Sequence, residues 1–145
     1  MKSRIPTGDE LTMPQILADL YTAKAAIDRA LTEENRVGKY LKGLAGYHLQ
    51  QATEKMIKIQ IYKAGVPIDF SKMFSHNICD LVQYAEQLGI SLLIPPYVKK
   101  HDIMISGWEA EGRYEVHVVV RTDTLKKAYT ELTQGSDNLR EKGFG

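Results

Sequence analysis

The residues best suited to chemistry form a polar stripe, which we define as Tyr47, Gln51, Glu54, Lys55 and Lys58. Helical spacing places these side chains along one flank of a single helix, beside its apolar face. In that position the two ammonium groups could contact phosphates, Tyr47 could stack on a base, and Gln51 could bond a base edge. The stripe therefore predicts a site for a nucleotide or for RNA.

The same stripe has a purely structural interpretation. Glu54 and Lys58 are four residues apart, which is the spacing of an ordinary ion pair on a solvated helix face. In this interpretation Gln51 simply bonds a neighbouring helix. The sequence leaves both interpretations open.

A second candidate site consists of Arg113 and His117, which three residues separate. Cleavage of RNA without a metal needs a base for the 2′-hydroxyl proton and a cation for the phosphate charge. A neighbouring arginine disfavours the protonated form of a histidine, which then remains neutral as a base must. In a dimer, two such pairs could meet across one cleft. Alternatively, Arg113 pairs with Glu109, Glu111 or Glu115, and His117 has no role.

The other three histidines predict no metal site, because no pair has a metal-binding spacing. His48 lies on the apolar face of its helix, as a hydrogen-bonded core histidine does. His76 stands near a helix start, where a local hydrogen bond is the expected role. His101 shares a face with Trp108, which predicts a role in packing or in an interface. We expect no metal and no cofactor.

Composition limits the chain to a single ordinary domain. Its 145 residues carry a formal charge of +1, so no whole-molecule field would attract nucleic acid. The single cysteine, Cys79, excludes an internal disulfide and predicts a buried packing role. No apolar run is long enough for a membrane span, and the charged first residues do not resemble a secretory signal. We expect a cytoplasmic protein without a membrane partner.

Five helices are predicted from apolar periodicity and from capping residues. They run from about Met13 to Leu31, Glu34 to Ala64, Ser75 to Leu88, Pro95 or Pro96 to a ragged end at Gly107 or Gly112, and Thr122 or Asp123 to Leu132 or Thr133. The expected organisation is a flexible lead-in at 1–12, a helical domain at 13–134 and a flexible tail at 135–145. The exception is 114–120, whose β-branched residues favour a strand that has no partner elsewhere in the chain. The alternatives for this segment are an extended connection, a strand paired across a dimer, and a helix that tertiary contacts impose.

Three segments of the chain follow a recognisable order. Ala45–Lys58, with its Gln50-Gln51-Ala52 run and its Glu54-Lys55 pair, resembles the signature helix of HEPN domains. Ser75–Leu81 is similar to the segment after their loop, and Arg113-Tyr114 is similar to their Arg-Tyr-Pro element, with Glu115 in place of proline. The resemblance spans about Ala45 to Tyr114.

The resemblance implies an all-α, up-and-down antiparallel helical bundle that often forms homodimers. It adds Arg113 and Tyr114 to the expected ligand-binding residues. HEPN members include ribonucleases, toxins, partners of nucleotidyltransferases and nucleotide-binding modules. The ribonucleases have four to six residues between Arg and His, and this chain has three. We therefore expect a nucleotide- or nucleic-acid-associated binding module without catalysis of its own. The alternatives are a metal-independent ribonuclease using Arg113 and His117, and an accessory subunit that docks a nucleotidyltransferase or an antitoxin.

Overall fold

The computed structural model describes residues 11–33, 35–109 and 121–144, and over these ranges the chain is an all-α bundle, as the sequence predicts. Its helices are α1 (Met13–Ala30), α2 (Asn35–Lys63), a 3-10 turn (Phe70–Phe74), α3 (Ile78–Gln87), α4 (Pro96–Lys100), α5 (Asp102–Gly107), α6 (Thr122–Leu139) and a π-helical turn (Arg140–Phe144). Three sequence predictions concern residues outside the described ranges. They are the flexible lead-in up to residue 10, the conformation of 114–120, and the site residues Arg113, Tyr114 and His117.

Helix α1 begins where its sequence signals predict. Thr12 is the N-cap in an extended conformation, and its backbone N–H donates to Gln15 Oε1 at 3.4 Å. Pro14 occupies the first turn, where a missing N–H costs no helical hydrogen bond. The apolar stripe of the helix is buried in the core, with Ile16 and Leu20 almost inaccessible to solvent. The predicted amphipathic helix is confirmed to within one residue at each end.

Helix α2 is the central helix of the bundle and contacts α1, α3, α5 and α6. Between Ala52 and Ile61 every side chain except Lys55 is buried. The helix runs through Gly38 without a break and ends before Gly65, whose φ of +73° suits glycine. Because α2 is covered on several sides, its polar side chains are drawn into the interior along with its apolar ones.

The start of the third predicted helix is wrong by three residues. Ser75 is not the cap, because the Asn77 side chain accepts from the Asp80 N–H at 3.0 Å and α3 begins at Ile78. An unpredicted 3-10 turn precedes it, capped by Asp69. Cys79 was expected to be buried, but it is only half-buried, since it lies in the first turn of α3 near the surface.

The fourth predicted helix is divided into two short ones by His101, whose φ of −114° and ψ of 28° are not helical. The His101 ring packs on Tyr97 with the ring centroids 4.4 Å apart, so its packing role is confirmed. Trp108 follows α5 and is buried against Gly46 of α2, where an added Cβ would lie 3.2 Å from Trp108 Cγ. The small residue thus permits close packing here.

Helix α6 continues past the predicted end at Leu132 or Thr133 and through Gly135 to Leu139. Gly135, Ser136 and Leu139 are buried, so the flexible tail predicted from residue 135 is wrong over this stretch. The polar composition after Gly135 was misleading because α6 packs against α1, α2 and α4. Tertiary contact therefore maintains a helix that local sequence signals would end. None of the helices in the described ranges combines the length and hydropathy of a bilayer crossing.

Candidate functional site

One group of ionisable side chains joins α1 to α2, and we call it the Asp19 cluster (Asp19, His48 and Lys55). His48 and Lys55 are seven residues apart on α2 and therefore share a face. Asp19 Oδ1 lies 2.8 Å from His48 Nδ1, and Asp19 Oδ2 accepts from Lys55 Nζ at 2.6 Å. Asp19 is buried, which would be costly for an unpaired carboxylate. Both of its oxygens are instead satisfied by the facing helix.

A second group, the Glu54 cluster (Glu54, Lys58 and His76), joins α2 to the segment before α3. Glu54 Oε1 lies 2.8 Å from His76 Nδ1, and Glu54 Oε2 accepts from Lys58 Nζ at 2.9 Å. Glu54 and Lys58 are buried, whereas the His76 side chain is 57% exposed. The buried charges are paired, and the imidazole is the solvent-facing end of the cluster.

The two clusters are built alike. In each, one oxygen of a buried carboxylate lies against a histidine Nδ1, and the other oxygen accepts from a lysine ammonium. Each carboxylate is formally balanced by one lysine, so that protonation of the histidine would leave a cluster with one net positive charge. A carboxylate against one ring nitrogen fixes the orientation of the ring and its tautomer. Both histidines are therefore oriented groups.

Two glutamines extend the Glu54 cluster. Gln50 is fully buried, and its Nε2 donates to Glu54 Oε1 at 3.1 Å and to the His76 carbonyl at 2.9 Å. Gln51 Nε2 donates to Gln50 Oε1 at 2.8 Å. These bonds tie the backbone that carries His76 to the surface of α2.

Three residues of the polar stripe belong to the two clusters, and the other two lie between them. At about 100° per helical residue, Tyr47 and Gln51 fall on the arc between Glu54 and Lys55. The half-buried ring of Tyr47 meets the His48 ring edge-on, with the centroids 5.1 Å apart. The stripe therefore has a partly exposed portion, Tyr47, Gln51 and Lys55, and a buried portion, Glu54 and Lys58, with an oriented histidine on each side.

The structural interpretation of the stripe needs two corrections. The Glu54–Lys58 pair exists, but it is buried instead of solvated, because α3 and its preceding segment cover this part of α2. Gln51 bonds Gln50 of its own helix instead of a neighbouring helix. The binding interpretation also changes in detail, since Lys58 is almost inaccessible and Lys55 is bonded to Asp19.

Sequence reasoning missed Asp19, Gln50 and the role of His76. The bond from His76 to Glu54 spans 22 residues, so the expected local role is wrong. Asp19 did leave a signal, because it falls on the buried side of α1, three residues after Ile16 and four before Ala23. An acidic residue at such a position requires a partner across the bundle. His48, bonded to Asp19, is the satisfied histidine that its position predicts.

Other reactive groups do not extend this site. Desolvation and the neighbouring Asp102 carboxylate raise the pKa of the Cys79 thiol, which keeps it in the unreactive protonated form. In the described ranges no three His, Cys, Asp or Glu side chains are grouped so that they could hold a metal ion.

Comparisons with known proteins assign no role to this site. No protein-family model, curated protein or solved structure matches the chain significantly. The resemblance to HEPN domains thus depends on the three sequence segments alone.

Proposed function

We propose that this chain is a HEPN-like binding module for a nucleotide or RNA, and that this ligand binds along the polar stripe of α2. The observation that carries the proposal is the pair of carboxylate–histidine–lysine clusters, which include three residues of that stripe and flank Tyr47 and Gln51. Burying charged groups costs free energy that an apolar core of similar volume would avoid, so their presence here favours a role beyond stability. Six ionisable side chains on one helix and its neighbours therefore support a binding role.

The accessible groups fit the chemistry of a nucleotide. Tyr47 offers an aromatic ring beside His48, and Gln51 offers an amide for a base edge. The side chain of Lys55 is 27% exposed and that of His76 is half-exposed, so both can contact an anionic ligand. Because Lys55 and Lys58 already pair with carboxylates, we expect the site to recognise its ligand through oriented hydrogen bonds instead of through net positive charge.

The expected homodimer is part of this proposal. Val37, Tyr40 and Leu44 are exposed on α2 at helical spacing, and they form an apolar strip in the turns before the polar stripe. Sedimentation equilibrium should give twice the chain mass at micromolar concentrations, and Tyr40→Glu with Leu44→Glu should give the monomer mass. A wild-type monomer at 100 µM would contradict the dimer.

Binding is tested with a thermal-shift panel of nucleotides and short RNAs. A ligand at about 100 times its dissociation constant adds about 2.7 kcal/mol of stability, a rise of several degrees in melting temperature. We expect at least one panel member to produce this shift in the wild type and a much smaller one in Lys55→Ala. Lys24→Ala is the matched control, because Lys24 forms an exposed pair with Asp28 on α1. Its shift should equal that of the wild type.

Assays on the same protein distinguish the two alternative functions, a ribonuclease and a docking subunit. An RNA-cleavage assay on the wild type, Arg113→Ala and His117→Ala should show no cleavage by any of them. Cleavage that both substitutions abolish would establish the ribonuclease instead. A panel without any shift, together with no cleavage, would overturn the binding proposal and favour docking of a nucleotidyltransferase or an antitoxin.

A further inference from the structure

We propose that His76 is the phosphate-contacting group of this site, through a protonated ring that Glu54 holds in place. This inference rests on the proposed binding function and adds the chemical class that the site selects, a phosphomonoester or a phosphodiester. The position of His76 in the sequence favours a local role, but no residue of the polar stripe has its combination of exposure and fixed orientation.

The ring is positioned before any ligand arrives. Its Nδ1 lies 2.8 Å from the buried Glu54 carboxylate, and its carbonyl accepts from the fully buried Gln50. On the other side, Asn77 caps α3. Side chain and backbone are thus both fixed, which lowers the entropy that a ligand contact would otherwise cost. With Nδ1 occupied, Nε2 is the ring nitrogen left to meet a ligand.

When the His76 ring is protonated, the net positive charge of the Glu54 cluster lies at its solvent-exposed member. Lys58 balances Glu54 at 2.9 Å, so a proton on His76 leaves the cluster with one net positive charge. Lys58 is buried, and His76 is the member that reaches solvent. Glu54 and Lys58, both on α2, are the charged groups that the described contacts place around this ring. A doubly protonated imidazole donates to phosphate oxygens through Nε2–H.

His48 is the natural comparison within the same chain. Its ring has the same contact to a buried carboxylate, but its side chain is only 22% exposed, and Tyr47 covers one edge. Removal of His48 perturbs a carboxylate–histidine contact without removing the exposed donor. If the pH dependence of binding is lost in a His76 variant but kept in a His48 variant, His76 contacts the ligand and does more than support the structure.

The inference is tested by measuring the affinity for AMP and for an RNA hexamer at pH 6 and pH 8, with inorganic phosphate as a competitor. The proposed contact requires a protonated ring, and imidazoles in general are largely neutral at pH 8, so wild-type binding should weaken by about tenfold or more there. His76→Gln should bind weakly at both pH values and lose the pH dependence. His48→Gln alters the Asp19 cluster, so we expect it to weaken binding by a similar factor at both pH values and to retain most of the wild-type pH dependence. Phosphate should compete only where the dependence is present.

The outcomes separate the two proposals. If neither probe binds the wild type, the binding function fails and this inference fails with it. If a probe binds but His76→Gln retains the wild-type affinity and pH dependence, only the His76 inference is overturned. Nitrogen-15 spectra of the wild-type imidazoles provide a readout that needs no variant. Ligand should shift the His76 Nε2 signal more than that of His48, and an unchanged His76 signal at saturation would also overturn the inference.

Discussion

Replacing Lys58 by methionine should lower the free energy of unfolding by about 3–5 kcal/mol, because it leaves the buried Glu54 carboxylate without its ammonium partner. Methionine fills most of the space of the lysine stem, so the lost charge is the main change. His76 and Gln50 still contact Glu54, but an amide does not balance its charge, so the loss is measured at pH 8, where an imidazole in general is neutral. Urea unfolding monitored by circular dichroism measures the loss.

Two further variants isolate the effect of burial. Glu54→Gln combined with Lys58→Met removes both charges and keeps an amide near His76 and Gln50, so we expect it to recover at least half of the loss. Lys24→Met breaks an exposed pair of the same i,i+4 spacing, and it should cost less than about 1 kcal/mol. Equal losses for Lys58→Met and Lys24→Met would show that Lys58 is solvated, contrary to the structure.

The helices could be predicted because local signals specify them. The Thr12 cap and the apolar repeat fix α1, and Gly65 with Pro67 fixes the end of α2. The errors occur where distant packing overrides local preference. Helix α6 continues through Gly135 because the rest of the bundle covers that turn, a contact that no local signal contains.

The candidate site was predictable only in part, for a related reason. The polar stripe and the Glu54–Lys58 spacing follow from helical periodicity within one segment. The Lys55–Asp19 bond spans 36 residues and the His76–Glu54 bond spans 22, so both depend on how helices pack. Burial of Lys58 was unpredictable as well, since a central helix covered on several sides does not show a clean division into apolar and solvated faces.

Gly135→Val should lower the free energy of unfolding by about 3 kcal/mol, because a β-carbon at this position has no room. An added Cβ would lie 2.8 Å from Met56 Cε and 3.0 Å from Pro95 Cγ. The flexible end of Met56 can shift, but the proline ring cannot easily do so, and valine adds two more carbons. Thermal or urea unfolding measures the loss, and Gly135→Ala should lose less, since alanine favours a helix by about 1 kcal/mol over glycine.

The matched control is Gln134→Val, one residue earlier on the exposed side of α6. It introduces the same β-branched residue into the same turn, so it should cost less than about 1 kcal/mol from helix preference alone. A large difference between the two valine variants would establish that α6 packs closely on α2 and on the segment before α4 beyond residue 134. Equal, small losses would restore the sequence-based expectation of a loose tail. The contact of Gly135 with Met56 would then be absent, and with it the packing that holds the C-terminal half of α6 against the helix that carries both clusters.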